Sequence, residues 1–76
     1  MGTDSFSGKE LAIVALTKRG APLGRRLKAL LPDSHFYLPD KFAVGGLDER
    51  SFFFPAKSLI RDIFGRYRYL VLIMAV

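Results

Sequence analysis

Residues Leu11 to Leu16 read LAIVAL, an unbroken apolar run between Lys9-Glu10 and the polar stretch Thr17-Lys18-Arg19-Gly20. A continuous run of this length predicts a strand buried on both faces. From Ala21 to Leu31 the spacing changes. Leu23, Leu27, Leu30 and Leu31 share one face of a helix, and Arg25, Arg26 and Lys28 share the other. Pro22 suits the first helical turn, where its missing N–H costs nothing. Gly24 falls on the inner half, where it costs up to ~1 kcal/mol against Ala unless it lets the helix approach a strand closely. Pro32-Asp33 ends the helix.

Ser34 to Leu38, SHFYL, predicts a short strand stopped by Pro39 and, being less apolar than the first, placed at a sheet edge. Asp40 to Ser51 reads as a loop around the flexible pair Gly45-Gly46. Phe52-Phe53-Phe54 leads to Pro55, again suited to a first helical turn. Ala56, Leu59, Ile60 and Ile63 mark a second helical face, with Gly65 as its C′ residue. The last strand begins at Tyr69. Alternation of strands and helices argues for α/β with a parallel sheet. The expected architecture is a three-layer βαβαβ unit of three strands in order 2-1-3, a flavodoxin-like half with one helix on each face. In such sheets ligands bind beyond the carboxyl ends of the strands, where the winding reverses.

The chain ends on YLVLIMAV with no charge or cap behind it. This pattern predicts a flexible leader over 1–9 and an incomplete α/β domain over 10–76. It also predicts self-association through an exposed last strand. Composition adds little to the fold: 50% of the residues are hydrophobic and 25% charged, as in globular chains. There is no cysteine, which rules out disulfides and thiolate metal sites and fits a cytoplasmic setting. The longest apolar run is far too short to span a bilayer, so no membrane partner is expected.

The net charge of +5 points to an anionic partner or simply to a solvated basic face. TKRG carries the most chemistry. Lys18 and Arg19 are suited to holding an anion, Thr17 to donating a hydroxyl hydrogen bond, and the N–H groups after Gly20 open a helix. The alternative is a plain polar turn after a strand. The stretch is neither a P-loop nor a GxGxxG. His35, the only histidine, has no Cys or His companion and reads as structural or surface. Asp48-Glu49 reads as a solvated pair. In GRYRY, Gly65 to Tyr69, the tyrosines are expected to pack and the arginines to stay in water. No metal site and no resident cofactor is expected, and no nucleophile or general base can be assigned.

Three stretches together, AIVALTKRGAPLGRRLKALLP, FYLPDKF and IFGRYRYLVLIMAV, resemble the opening of the CbiG family of cobalamin-biosynthesis proteins. The resemblance runs from Leu11 to Val76. It rests on a strand ending in ALT-Lys-Arg-Gly, a helix with an Arg-Arg-Leu step, a short Tyr-x-Pro strand, and Phe-Gly-x-Tyr before an Ile-Met-Ala strand. Phe53-Phe54-Pro55 is more apolar than the family pattern, and family chains continue well beyond this length. The resemblance implies a cobalt-precorrin-5A hydrolase, which opens the ring A lactone and releases a two-carbon fragment as acetaldehyde. Its substrate is a carboxylate-rich cobalt tetrapyrrole, and the cobalt belongs to that substrate. Thr17, Lys18, Arg19 and Gly20 carry over as candidate substrate contacts, with the C-terminal domains of the family as further partners. By itself the fragment is expected to be inactive.

The competing reading is a small basic α/β module for nucleic acid, using Arg25, Arg26 and Lys28 together with Arg66 and Arg68. The two readings differ in which basic residues face the ligand. A third reading is an incomplete gene product with no activity.

Overall fold

A computed structural model of the protein describes residues 10–46, 48–53 and 55–75. The expected leader over 1–9, Leu47, Phe54 at the end of the Phe52–Phe54 run, and the last residue lie outside these. In chain order the elements are β1 (Leu11–Ala15), α1 (Gly20–Leu30), β2 (His35–Pro39), a 3-10 turn (Asp40–Phe42), β3 (Glu49–Phe52), α2 (Lys57–Arg66) and β4 (Tyr69–Ile73). The strands form one sheet in the order β3-β2-β1-β4, and every pairing is parallel.

The α/β class and the parallel sheet agree with the sequence pattern; the strand count and order do not. Instead of three strands ordered 2-1-3, the sheet has four, because Glu49–Phe52 is a strand rather than loop. It pairs with β2 from Phe36↔Glu49 to Pro39↔Phe52 and takes the sheet edge, which moves β2 inside. Its sequence, ERSF, has no apolar run because Arg50 and Ser51 face solvent and only Phe52 is buried. Among its described residues the link from β2 to β3, residues 40–48, contains one 3-10 turn and no α-helix. Parallel strands are usually joined by a dozen or more residues, so a helix-alternation pattern passes over this crossing. Pro39 ends β2 from within, as its last residue.

β1 is buried along its whole length, which is what its unbroken apolar run requires. Its side chains divide between the two faces, by the two-residue alternation of a strand. Leu11, Ile13 and Ala15 join Phe36, Leu38 and Ile73 beneath Ala21, Leu27 and Leu31 of the α1 region. Ala12 and Val14 join Tyr37 and Phe52 beneath Leu59 and Ile63 of α2. One helix therefore covers each face.

α1 departs from its expected face, whereas α2 keeps its face, with Ala56, Leu59 and Ile63 packed inward, and departs only at its end. Leu27 and Leu31 pack inward, but Leu23 is 47% and Leu30 76% exposed. The approach of α1 is made instead through Ala21 and Gly24, both buried. α2 begins at Lys57, after Pro55-Ala56, and continues through Gly65 to Arg66, so Gly65 is an interior residue and not the C′ position. Tyr67 closes it, its N–H donating to Ile63 O at 2.8 Å. β4 pairs only with β1 among the described residues, and Tyr69, Val71 and Leu72 remain exposed on it. No helix among the described residues is long and apolar enough to cross a membrane.

Candidate functional site

The carboxyl end of β1 opens directly into Thr17-Lys18-Arg19-Gly20, and the four residues have different duties. The Thr17 hydroxyl donates to Ala75 O, just past β4, and accepts the Gly20 N–H at 3.2 Å. Gly20 N–H also reaches Thr17 O at 3.1 Å. Leu16 N–H donates to Ile73 O at 3.0 Å, so two successive residues tie the β1 loop to the end of β4. Thr17 thus has its proton and an oxygen lone pair committed within the fold. Gly20 is there for space: a Cβ on it would lie 2.8 Å from Ile73 Cγ2. Both of these expected substrate contacts therefore have structural duties at this joint. Lys18 and Arg19 are exposed at the same strand end.

The 3-10 turn after β2 leaves the same edge of the sheet, since β1 and β2 are parallel neighbours. It brings Lys41 and Phe42 to the groove beside Lys18. This groove encloses about 330 Å³ and is lined by Lys18, Pro22, Arg25, Lys41, Phe42 and Val44, among others. The Lys41 ammonium lies 5.1 Å from the centroid of the Phe42 ring, within cation–π range. Among the described residues neither Lys18 nor Lys41 is in an ion pair.

Arg25 differs from the lysines. Its Nε pairs with Glu49 Oε1, and its Nη2 donates to Phe42 O at 3.0 Å. Glu49 Oε2 accepts the Val44 N–H at 2.8 Å. Burial alone would raise the Glu49 pKa, but the Arg25 hydrogen bond and the backbone donors of Val44 and Gly45 outweigh it and hold the carboxyl below its ordinary value. The expected solvated pair Asp48-Glu49 is therefore corrected. Asp48 is exposed, with φ 56°, whereas the Glu49 side chain is fully buried and braces the groove wall.

The remaining candidates lie elsewhere. His35 begins β2, at the opposite end of the sheet, with its ring 4.9 Å from that of Tyr67. The hydroxyls of Tyr37 and Tyr67 are 2.8 Å apart. Burial, then the hydrogen bond to Tyr67, pushes the Tyr37 phenol up to about 12, so it keeps its proton near neutral pH. In GRYRY, Tyr67 packs on the α2 side, Arg66 pairs with Asp62 at 3.3 Å, and the Arg68 guanidinium lies 5.9 Å from the Tyr69 ring centroid. The described residues contain no group of three or more His, Cys, Asp or Glu able to hold a metal ion.

The sequence pattern assigned no role to Lys41 or Phe42, and it placed Arg25 on an outward, nucleic-acid-binding face of the helix rather than at this groove. The available signal was position: a cation placed directly after a strand's carboxyl end, as in Pro39-Asp40-Lys41. The carboxyl edge can bind an anion, with Lys18 and Lys41 as its cations and apolar side chains between them. No family model matches the chain, and neither a curated protein nor a solved structure matches it.

Proposed function

We propose that the chain binds a carboxylate-rich cobalt tetrapyrrole at the carboxyl edge of its sheet, as the N-terminal part of a cobalt-precorrin-5A hydrolase of anaerobic cobalamin biosynthesis. The observation that carries this reading is the convergence of Lys18, after β1, and Lys41, after β2, on one groove at the edge where α/β sheets hold ligands. The resemblance from Leu11 onward supplies the substrate; the two ammonium groups supply the affinity for its carboxylates.

Lactone opening needs a base or activated water within ~2.6–3.2 Å of its target and donors aimed at the developing oxyanion. The one hydroxyl of the TKRG loop, Thr17, is already bonded at both ends. The chain's part in the reaction is binding, and the hydrolytic step falls to other domains of the hydrolase.

The nucleic-acid reading requires α1 and the GRYRY segment to form one surface. Arg25 is neutralised by Glu49, Arg66 pairs with Asp62, and α1 and α2 cover opposite faces of the sheet. These facts favour the strand-end site.

Titration of the chain with cobyrinic acid, a carboxylate-rich cobalt corrinoid, followed by its visible absorption, tests the proposal. Binding is expected at low salt and should weaken as salt screens charges near water. It should also weaken in the double variant Lys18→Ala/Arg19→Ala. Absence of binding at low salt, or binding indifferent to both salt and the double variant, overturns it.

A further inference from the structure

We propose that the groove between Lys18 and Lys41 is a carboxyalkyl subsite: it takes one carboxylate carried on a short apolar chain. The group can arrive as a free short-chain acid or as an arm of a larger polyacid. The subsite stands whether or not a tetrapyrrole is the ligand; only the arm form rests on the function proposed above.

The volume of about 330 Å³ lies at the small end of ligand pockets, which run from ~300 to ~1,000 Å³. It suits one short arm rather than a macrocycle. Charge at the groove comes from the two lysines, because the Arg25 guanidinium is held by Glu49. Among the described residues no acidic side chain lines it. Its apolar lining includes Pro22, Phe42 and Val44. A bare anion would leave these side chains wet, whereas a carboxylate with methylenes behind it meets both parts. The Phe42 ring lies below the Lys41 ammonium, which sets the apolar and charged contacts of one ligand a few atoms apart. The far wall is preorganised. Phe42 O is held by Arg25 at 3.0 Å and Val44 N–H by Glu49 at 2.8 Å, so binding has to order the two lysine side chains but not this stretch of backbone. An ammonium is a compact point charge without the two-pronged geometry of arginine, so one carboxylate between two lysines needs no fixed orientation.

The probes are hexanoate, acetate and inorganic phosphate, titrated into the 15N-labelled chain and read by amide chemical shifts. Hexanoate should move the amides of Lys18, Ala21, Lys41 and Phe42. It should bind about tenfold more tightly than acetate if two of its extra methylenes are buried at ~0.8 kcal/mol each. Lys18→Met and Lys41→Met keep the side-chain stems and remove the charges; each should weaken hexanoate several-fold, while Lys57→Met on α2 should not. Acetate or phosphate binding as tightly as hexanoate, shifts confined to other residues, or either groove variant matching the wild type overturns the subsite. The comparison among probes needs no variant, so it holds even if a substitution disturbs the fold. Displacement of hexanoate by cobyrinic acid supports the arm form. Hexanoate binding as described without displacement by cobyrinic acid supports the subsite for free acids and sinks the tetrapyrrole reading.

Discussion

A Cβ built on Gly24 of α1 would meet Phe36 Cε1 of β2 at 2.2 Å, so this glycine is where helix and sheet touch. Phe36 is fully buried and cannot swing aside. Gly24→Ala should therefore destabilise the fold, because overpacking costs ~1–3 kcal/mol against a helix-propensity gain of up to ~1 kcal/mol. Gly65 provides the control. It lies inside α2 with nothing within 4 Å of an added Cβ. Gly65→Ala should stabilise by ~0.5–1 kcal/mol. Urea melts of both variants check this, and a Gly24→Ala protein as stable as the wild type would remove the close approach.

Thr17 and Lys18 are adjacent, and their substitutions should separate. Thr17→Val keeps the shape but removes the hydroxyl that joins Gly20 N–H to Ala75 O. A loss of ~1 kcal/mol is expected, in the range for a part-buried hydrogen bond, since the Gly20 N–H keeps Thr17 O as an acceptor. Lys18→Ala, at an exposed position, should stay within ~0.5 kcal/mol of the wild type. Thermal denaturation of the two variants decides: a larger loss for Lys18 than for Thr17 reverses the assignment of joint and ligand contact.

Glu49 should make stability depend on pH in acid. Its folded pKa lies below the ordinary glutamate value, so the folded state favours the ionised carboxylate. The unfolded chain then binds the proton more readily. The contribution is complete above the ordinary glutamate pKa and is lost as pH falls through the depressed folded value. The stability gap between wild type and Glu49→Gln should be widest near neutral pH and shrink on acidification. Equilibrium unfolding from pH 7 to pH 2 measures it, and a gap that stays constant or widens in acid contradicts the bracing role of the Arg25–Glu49 pair.

β4 should drive association between copies. Among the described strands it is hydrogen-bonded to β1 alone; it has no charged residue, and Leu72 is 45% exposed. Such edges template further pairing unless blunted by charge. Apparent mass in gel filtration should rise with concentration for the wild type and stay monomeric for Leu72→Lys. If the variant keeps its circular dichroism spectrum and associates as before, the edge is not the contact.

The features legible in the sequence were those set by local chemistry. LAIVA reads as a strand covered on both faces, because a run of this length, closed by charge before it and by the turn residues of TKRG after it, is strand-sized and too short for a buried helix. Pro32-Asp33 had to stop α1, and the alternation of periods had to yield a parallel α/β unit. TKRG was placed correctly at a strand end.

What TKRG does was decided by tertiary structure. Thr17 is consumed by Ala75, 58 residues away in the chain, and no local pattern encodes a partner at that distance. β3 was invisible for a related reason. ERSF carries little hydrophobic signal, and its strand identity comes from β2's backbone on one side and from Arg25 gripping Glu49 on the other. Leu23 and Leu30 match an inward helical face by periodicity. The actual face of α1 was set by where a helix can come closest to the sheet, and that place is Gly24 on Phe36. Lys41 became a partner of Lys18 only when two parallel strands ended at one edge, since charges far apart in sequence converge through the sheet's pairing and not through their spacing.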